Sequence, residues 1–128
     1  MTRVLLTKSF TRWARKIGLT DQALCNAVTE MQQGLIDADL GGYVVKKRVA
    51  LPGQGKRGGA RTLVATQLAS RWFFLYGFSK NERANIDKDE LKVLQEVAKE
   101  LLALSDANIA IALEAGEMTE VCHDNDQT

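Results

Sequence analysis

The residues of this chain best suited to chemistry are cations gathered in its middle. Lys46, Lys47 and Arg48 are consecutive, Lys56 and Arg57 follow in a glycine-rich segment, Arg61 comes next, and Lys80 and Arg83 flank Asn81. Residues 46–83 hold nine Lys/Arg against the single acid Glu82, a balance of +8, in a 128-residue chain of net charge +1. Residues 1–45 contribute +1, and residues 84–128, with three lysines and eleven acids, contribute −8. Two physical readings fit such a separation of sign. Either the acidic end folds onto the basic middle and offsets it internally, or the basic stretch faces a polyanion with the acids on the far side.

The spacing favours phosphate chemistry over nucleotide-cofactor binding. Gly53-Gln54-Gly55-Lys56-Arg57-Gly58 satisfies GxGxxG, but that fingerprint works by opening a helix whose N-terminus holds a pyrophosphate. Here a strand-like run from Arg61 follows, and the position about 20 residues on, where an acid should hold a ribose, is Phe78. A Walker A loop fails as well, because Arg57 follows Lys56 where Ser or Thr is needed. What remains is glycine backbone that can approach a phosphate, with cations and no competing acid. As a plain hairpin connection the same residues would be solvated charges. Lys46 and Arg48 project from one face of a strand, and Arg61 begins the strand beyond the loop. With strands about 4.8 Å apart, three to five cations can converge on one sheet surface. Like charges opposed across strands destabilise a sheet unless an anion offsets them.

Other chemistries find little support. His123 is the only histidine and lies in a tail, and no CxxC or Cys–His spacing suggests zinc. Neither a metal nor a cofactor is expected. Trp72, Phe74 and Tyr76 alternate along a strand, which suits a core face better than a base-stacking platform.

The elements that must position these residues follow from periodicity. Val4–Leu6 forms a short strand; Phe10, Trp13, Ala14 and Ile17 make a helical stripe that Gly18 stops. Thr20 caps a second helix with Leu24, Ala27, Val28, Met31 and Leu35 buried. Tyr43–Leu51 reads as a strand with Tyr43, Val45, Val49 and Leu51 on one face; Arg61–Leu68 and Arg71–Phe78 read as two more, joined tightly at Ala69-Ser70. Asp87 and Glu90 form a capping-box-like start to a long helix with an apolar face of Leu91, Leu94, Val97, Ala98 and Leu101. Ser105 caps a short helix that Gly116 ends, Met118–Val121 is an edge strand, and His123–Thr128 is a frayed tail. The class is α+β, a helical hairpin packed on a small, mainly antiparallel sheet with a C-terminal helix.

Length and composition set the frame. Residues 1–128 suit a single domain with its core over about 3–104; 45% hydrophobic and 26% charged residues is globular composition. No apolar run approaches the ~18 residues of a membrane span, and the N-terminus lacks the roughly 7–15-residue apolar stretch of a signal peptide. Cys25 and Cys122 are too few for a disulfide framework, so reduced thiols in a cytoplasmic protein are expected.

Lys46-Lys47-Arg48-Val49-Ala50, then Gly53-x-Gly-Lys-Arg-Gly-Gly-x-Arg61, then an aromatic strand closing on Gly77-Phe78-Ser79-Lys80-Asn81-Glu82-Arg83 resembles the RelE/HigB-like toxins of bacterial type II toxin–antitoxin modules. The similarity runs from the helical hairpin to the helix ending near Leu104. It implies a RelE-like fold and a metal-independent endoribonuclease that cuts messenger RNA with the ribosome, inhibits translation, and is silenced by a cognate antitoxin, of helix-turn-helix type. Alternatives are a ParE-like gyrase inhibitor and a non-catalytic nucleic-acid-binding member. The resemblance carries catalytic roles to Lys46, Arg48, Arg61 and Lys80. RNA contacts are expected of Lys47, Lys56, Arg57, Asn81 and Arg83. Two positions depart from the pattern: Asn81 stands where RelE has a catalytic arginine, and Asp87 where it has a catalytic tyrosine. A ribose 2′-hydroxyl attacking its phosphate needs charge stabilisation, which clustered cations supply. It also needs a base, for which arginine is unsuited; Lys46 is a candidate.

Overall fold

A computed structural model describes residues 2–53 and 59–123. The elements are β1 (Arg3–Thr7), α1 (Lys8–Ile17), α2 (Asp21–Gln32), β2 (Ala38–Asp39), β3 (Val44–Val49), β4 (Ala60–Thr66), β5 (Arg71–Ser79), α3 (Lys88–Leu102), α4 (Asp106–Glu114) and β6 (Met118–Val121). The strands form one sheet in the order β2-β3-β4-β5-β1-β6. β1 runs parallel to β5, and the other neighbouring strands pair antiparallel. The α+β expectation holds, with β2 as an edge strand that the hydrophobic pattern did not reveal.

Local signals set the helix ends. The Thr7, Thr20 and Ser105 hydroxyls accept the N–H groups of Phe10, Ala23 and Asn108. Gly18 closes α1 in the left-handed conformation, φ +79°. Asp87 and Glu90 complete a reciprocal capping box on α3.

The sheet is covered on both faces. Phe10, Ala14, Leu24, Val28 and Met31 pack on Val4, Leu6, Val45, Val49, Val64, Trp72 and Phe74 on one side. On the other, Leu91, Leu94, Ala98, Leu101 and Ile109 pack on Leu5, Val44, Leu63, Ala65, Phe73 and Leu75.

Several expectations are corrected. Leu35 lies past the end of α2 and is exposed. Tyr43 precedes β3 with φ +66° and is exposed rather than sharing the buried face of Val45 and Val49. The β4–β5 turn is four residues, Gln67–Ser70, with Leu68 at φ +59°; that geometry is open to a hairpin the dipeptide Ala69-Ser70 could not make alone. Cys25 and Cys122 are joined by a disulfide, with 5.6 Å between their Cα atoms, rather than being two thiols. They are 97 residues apart in sequence; β6 pairing with β1 returns the chain end to α2.

No helix among the described residues is long and apolar enough to cross a membrane.

Candidate functional site

Register brings the basic residues onto one sheet face. Lys46 stands opposite Leu63, which stands opposite Tyr76; Arg48 stands opposite Arg61, which stands opposite Phe78. Paired antiparallel residues point to the same side, and Leu63 places that side toward α3. Two adjacent rows, Lys46–Leu63–Tyr76 and Arg48–Arg61–Phe78, therefore share one sheet face beside the start of α3, with Leu63 and Phe78 buried.

A β-bulge completes it. Register shifts between Leu63 and Val64, so that Leu63 faces Tyr76 and Val64 faces Phe74, leaving Leu75 as the extra residue. Tyr76 is thereby moved off the side occupied by Trp72 and Phe74 and onto the cationic face, which strict alternation did not anticipate. Gly77 then faces α1, where Trp13 lies so close that a Cβ would come 2.1 Å from its ring. The bulge and the glycine are parts of one arrangement.

Arg83 joins this face from the β5–α3 connection. Its guanidinium sits 6.0 Å from the centre of the Phe78 ring, and Nη1 donates to the Tyr76 hydroxyl at 3.4 Å. It forms a two-pronged pair with Glu90, Nη1 to Oε2 at 2.7 Å and Nη2 to Oε1. The Arg83 side chain and the Asp87 N–H hold the Glu90 carboxyl at about 2, well below the usual carboxylate range. The capping-box glutamate thus has a second function: it fixes the direction of an arginine.

Each remaining cation has its own setting. Lys46 is half-buried, and its side chain makes no hydrogen bond or ion pair among the described residues. Arg61 is half-buried, and its Nη1 donates to the Gly59 carbonyl at 3.1 Å. Arg48 is held at the sheet edge by Asp37, through its backbone N–H at 2.7 Å and its Nε at 3.1 Å. Burial pushes the Asp37 carboxyl up, but these bonds to Arg48 outweigh it and leave the group below its ordinary value. Lys80 and Asn81 are exposed in the turn after β5. Glu82, the lone acid of the basic stretch, accepts the Ser79 N–H at 2.8 Å, and that bond lowers its carboxyl.

Lys47 is not on this surface. It alternates with Val45 and Val49 and points toward α2 with a side chain only 4% exposed, its ammonium 2.7 Å from Glu30 and 2.8 Å from the Leu35 carbonyl. An RNA contact expected of Lys47 is corrected to a buried structural pair. The alternation of β3 carried the signal. Lys56 and Arg57 lie outside the described residues.

Several of these cations are compensated internally. Among the cations of residues 46–83, Arg71 pairs with Asp106 and Arg83 with Glu90, both acids of the C-terminal segment. Lys47 and Arg48 are matched by Glu30 and Asp37 from the N-terminal third.

The chain matches the family model described as RelE toxin of RelE / RelB toxin-antitoxin system over residues 2–121. The chain belongs to this family: it is a toxin of a toxin–antitoxin system, with a cognate antitoxin as partner. No curated protein matches it.

Proposed function

We propose that this toxin is a metal-independent endoribonuclease that cuts messenger RNA in association with the ribosome and so stops translation. The carrying observation is the pair of rows Lys46–Leu63–Tyr76 and Arg48–Arg61–Phe78, joined by Arg83, on one sheet face. In the reaction the 2′-oxygen attacks the adjacent phosphorus, the bond to the 5′-oxygen breaks, and a 2′,3′-cyclic phosphate and a 5′-hydroxyl result. The 2′-proton passes to a base and the leaving oxygen receives a proton. Lys46 is the candidate base, and Arg61, Arg48 and Lys80 offset the charge that develops on phosphate oxygens, a contribution of several kcal/mol per well-placed donor. Arg83, Asn81, Lys56 and Arg57 take the flanking RNA. The antitoxin, of helix-turn-helix type, silences this surface, and the protein acts in the cytoplasm.

A second reading, a member that binds RNA without cutting it, draws on Asp87: it is committed to capping α3 and cannot stand in for a catalytic tyrosine. Expression in bacteria without the antitoxin separates the two. Cleavage predicts growth arrest with broken transcripts, whereas binding alone predicts intact transcripts.

A further inference from the structure

Beside the cationic face lies a cavity of about 240 Å³, lined by Tyr76, Ile86, Glu90, Val93 and Leu94. That is many times the roughly 10–15 Å³ that admits one water molecule. The lining is apolar apart from the Tyr76 hydroxyl and the Glu90 carboxylate. Val93 leaves 60% of its surface in water although it sits on a helix between Lys92 and the charged positions Glu96 and Lys99. Tyr76, Ile86 and Leu94 also pack against the core on their inner sides, whereas Val93 is open to water.

Two lining residues connect it to the proposed phosphate site through Arg83. Tyr76 and Glu90 line the cavity, and both bind Arg83. A ligand spanning the two regions needs an anionic group for the cations and, next to it, a flat apolar body with polar edges. A nucleotide has that construction. Glu90 accepts the Asp87 N–H and one Arg83 N–H on Oε1 and a second Arg83 N–H on Oε2. A carboxylate offers about four acceptor sites, so one on Oε2 is left toward a donor on a base edge.

We infer that this cavity is a nucleobase subsite, in which one unpaired base of a single-stranded RNA inserts between Tyr76 and Val93 while its backbone phosphate lies on the cationic face. The inference rests on the proposed ribonuclease reading and adds the part of the substrate read beside the phosphate. Contact between a base and an aromatic wall supports roughly tenfold or more in affinity.

The test uses the full chain and a short single-stranded RNA, 2′-O-methylated so that it is not cut. A single abasic nucleotide is walked along the RNA and binding is followed by fluorescence anisotropy. Expected is one position at which the abasic nucleotide weakens binding about tenfold. Val93→Glu removes that penalty, and the uncharged Val93→Gln reduces it; both keep the thermal midpoint because Val93 is exposed. A flat abasic scan, with binding still salt-dependent and weakened by Arg61→Ala, overturns the subsite and leaves the phosphate site standing. The same flat scan with Val93→Glu breaking the antitoxin complex assigns the groove to the antitoxin and also overturns it. Binding indifferent to Arg61→Ala and Lys46→Ala overturns the ribonuclease reading, and the subsite with it.

Discussion

Arg48 and Arg61 stand directly opposite each other on β3 and β4. Two guanidinium groups at cross-strand neighbour positions repel each other, and Asp37 pairs with Arg48 at 3.1 Å. The proposed RNA phosphate would offset that repulsion. Removing Arg61 therefore costs the fold little. Arg61→Ala is expected to abolish growth arrest while the thermal midpoint stays within a few degrees of the parent or rises, since surface cations contribute little to stability. A variant that unfolds would make Arg61 a structural residue.

Adjacent lysines should behave oppositely. Lys47 is buried against Glu30, and loss of one member of a buried pair costs on the order of 3–5 kcal/mol, less here because Glu30 is partly open to water. Lys47→Ala is expected to lower the urea midpoint clearly, and Lys47→Met to recover part of the loss. Lys46→Ala should leave the midpoint unchanged and remove toxicity. Equal stability of the two alanine variants would contradict the assignment of faces.

Much of the frame was legible because it is encoded locally. Thr20, Gly18 and the Asp87–Glu90 box each announce a helix end within four residues, and all are seen as read. Lys46 and Arg48 share a face because strand parity is a local property, and the β3–β4 register adds Arg61 to it. Non-local features were not legible. The Leu75 bulge that turns Tyr76 toward the cations depends on β4–β5 register, and the Cys25–Cys122 bond depends on β6 reaching β1 and α2. Lys47 was readable: its place between Val45 and Val49 puts it on the buried face, although it belongs to a basic triplet. Glu90 carried two roles, and the sequence displays only the cap.

Acidification should weaken the fold through carboxylates tied to arginines. The Glu90 carboxyl lies at about 2 in the folded protein, held mainly by Arg83, below the ordinary 4.5. A group depressed on folding contributes stability that is complete above its unfolded value and lost as pH falls through the folded one. Stability should accordingly decline between about pH 4.5 and 2. Glu90→Gln should flatten this limb only in part, because Glu120, bonded to Arg3, and Asp37 are lowered too. Thermal midpoints from pH 7 to pH 2 provide the check; an unchanged limb in Glu90→Gln would dismiss the Arg83–Glu90 pair as a stabilising contact.

The disulfide closes most of the chain into a loop. A bridge across 97 residues restricts the unfolded state by up to about 4–5 kcal/mol in the chain-entropy model. Reduction of the wild-type protein should lower its thermal midpoint, and a Cys25→Ser/Cys122→Ser double variant should not respond to reductant. Two titratable thiols in the untreated, denatured protein would contradict the bond.

The central claim is that the face bearing Lys46 and Arg61 cuts RNA, and end chemistry in a translating extract tests it most directly. Purified toxin is added to ribosomes carrying a defined transcript, and the 5′ and 3′ ends of the products are analysed. Expected are breaks with 5′-hydroxyl and 2′,3′-cyclic phosphate ends, at least a hundredfold fewer with Lys46→Ala/Arg61→Ala, in keeping with the loss of preorganised charge at a transition state. Translation halted by the wild-type protein with every transcript intact would contradict the claim.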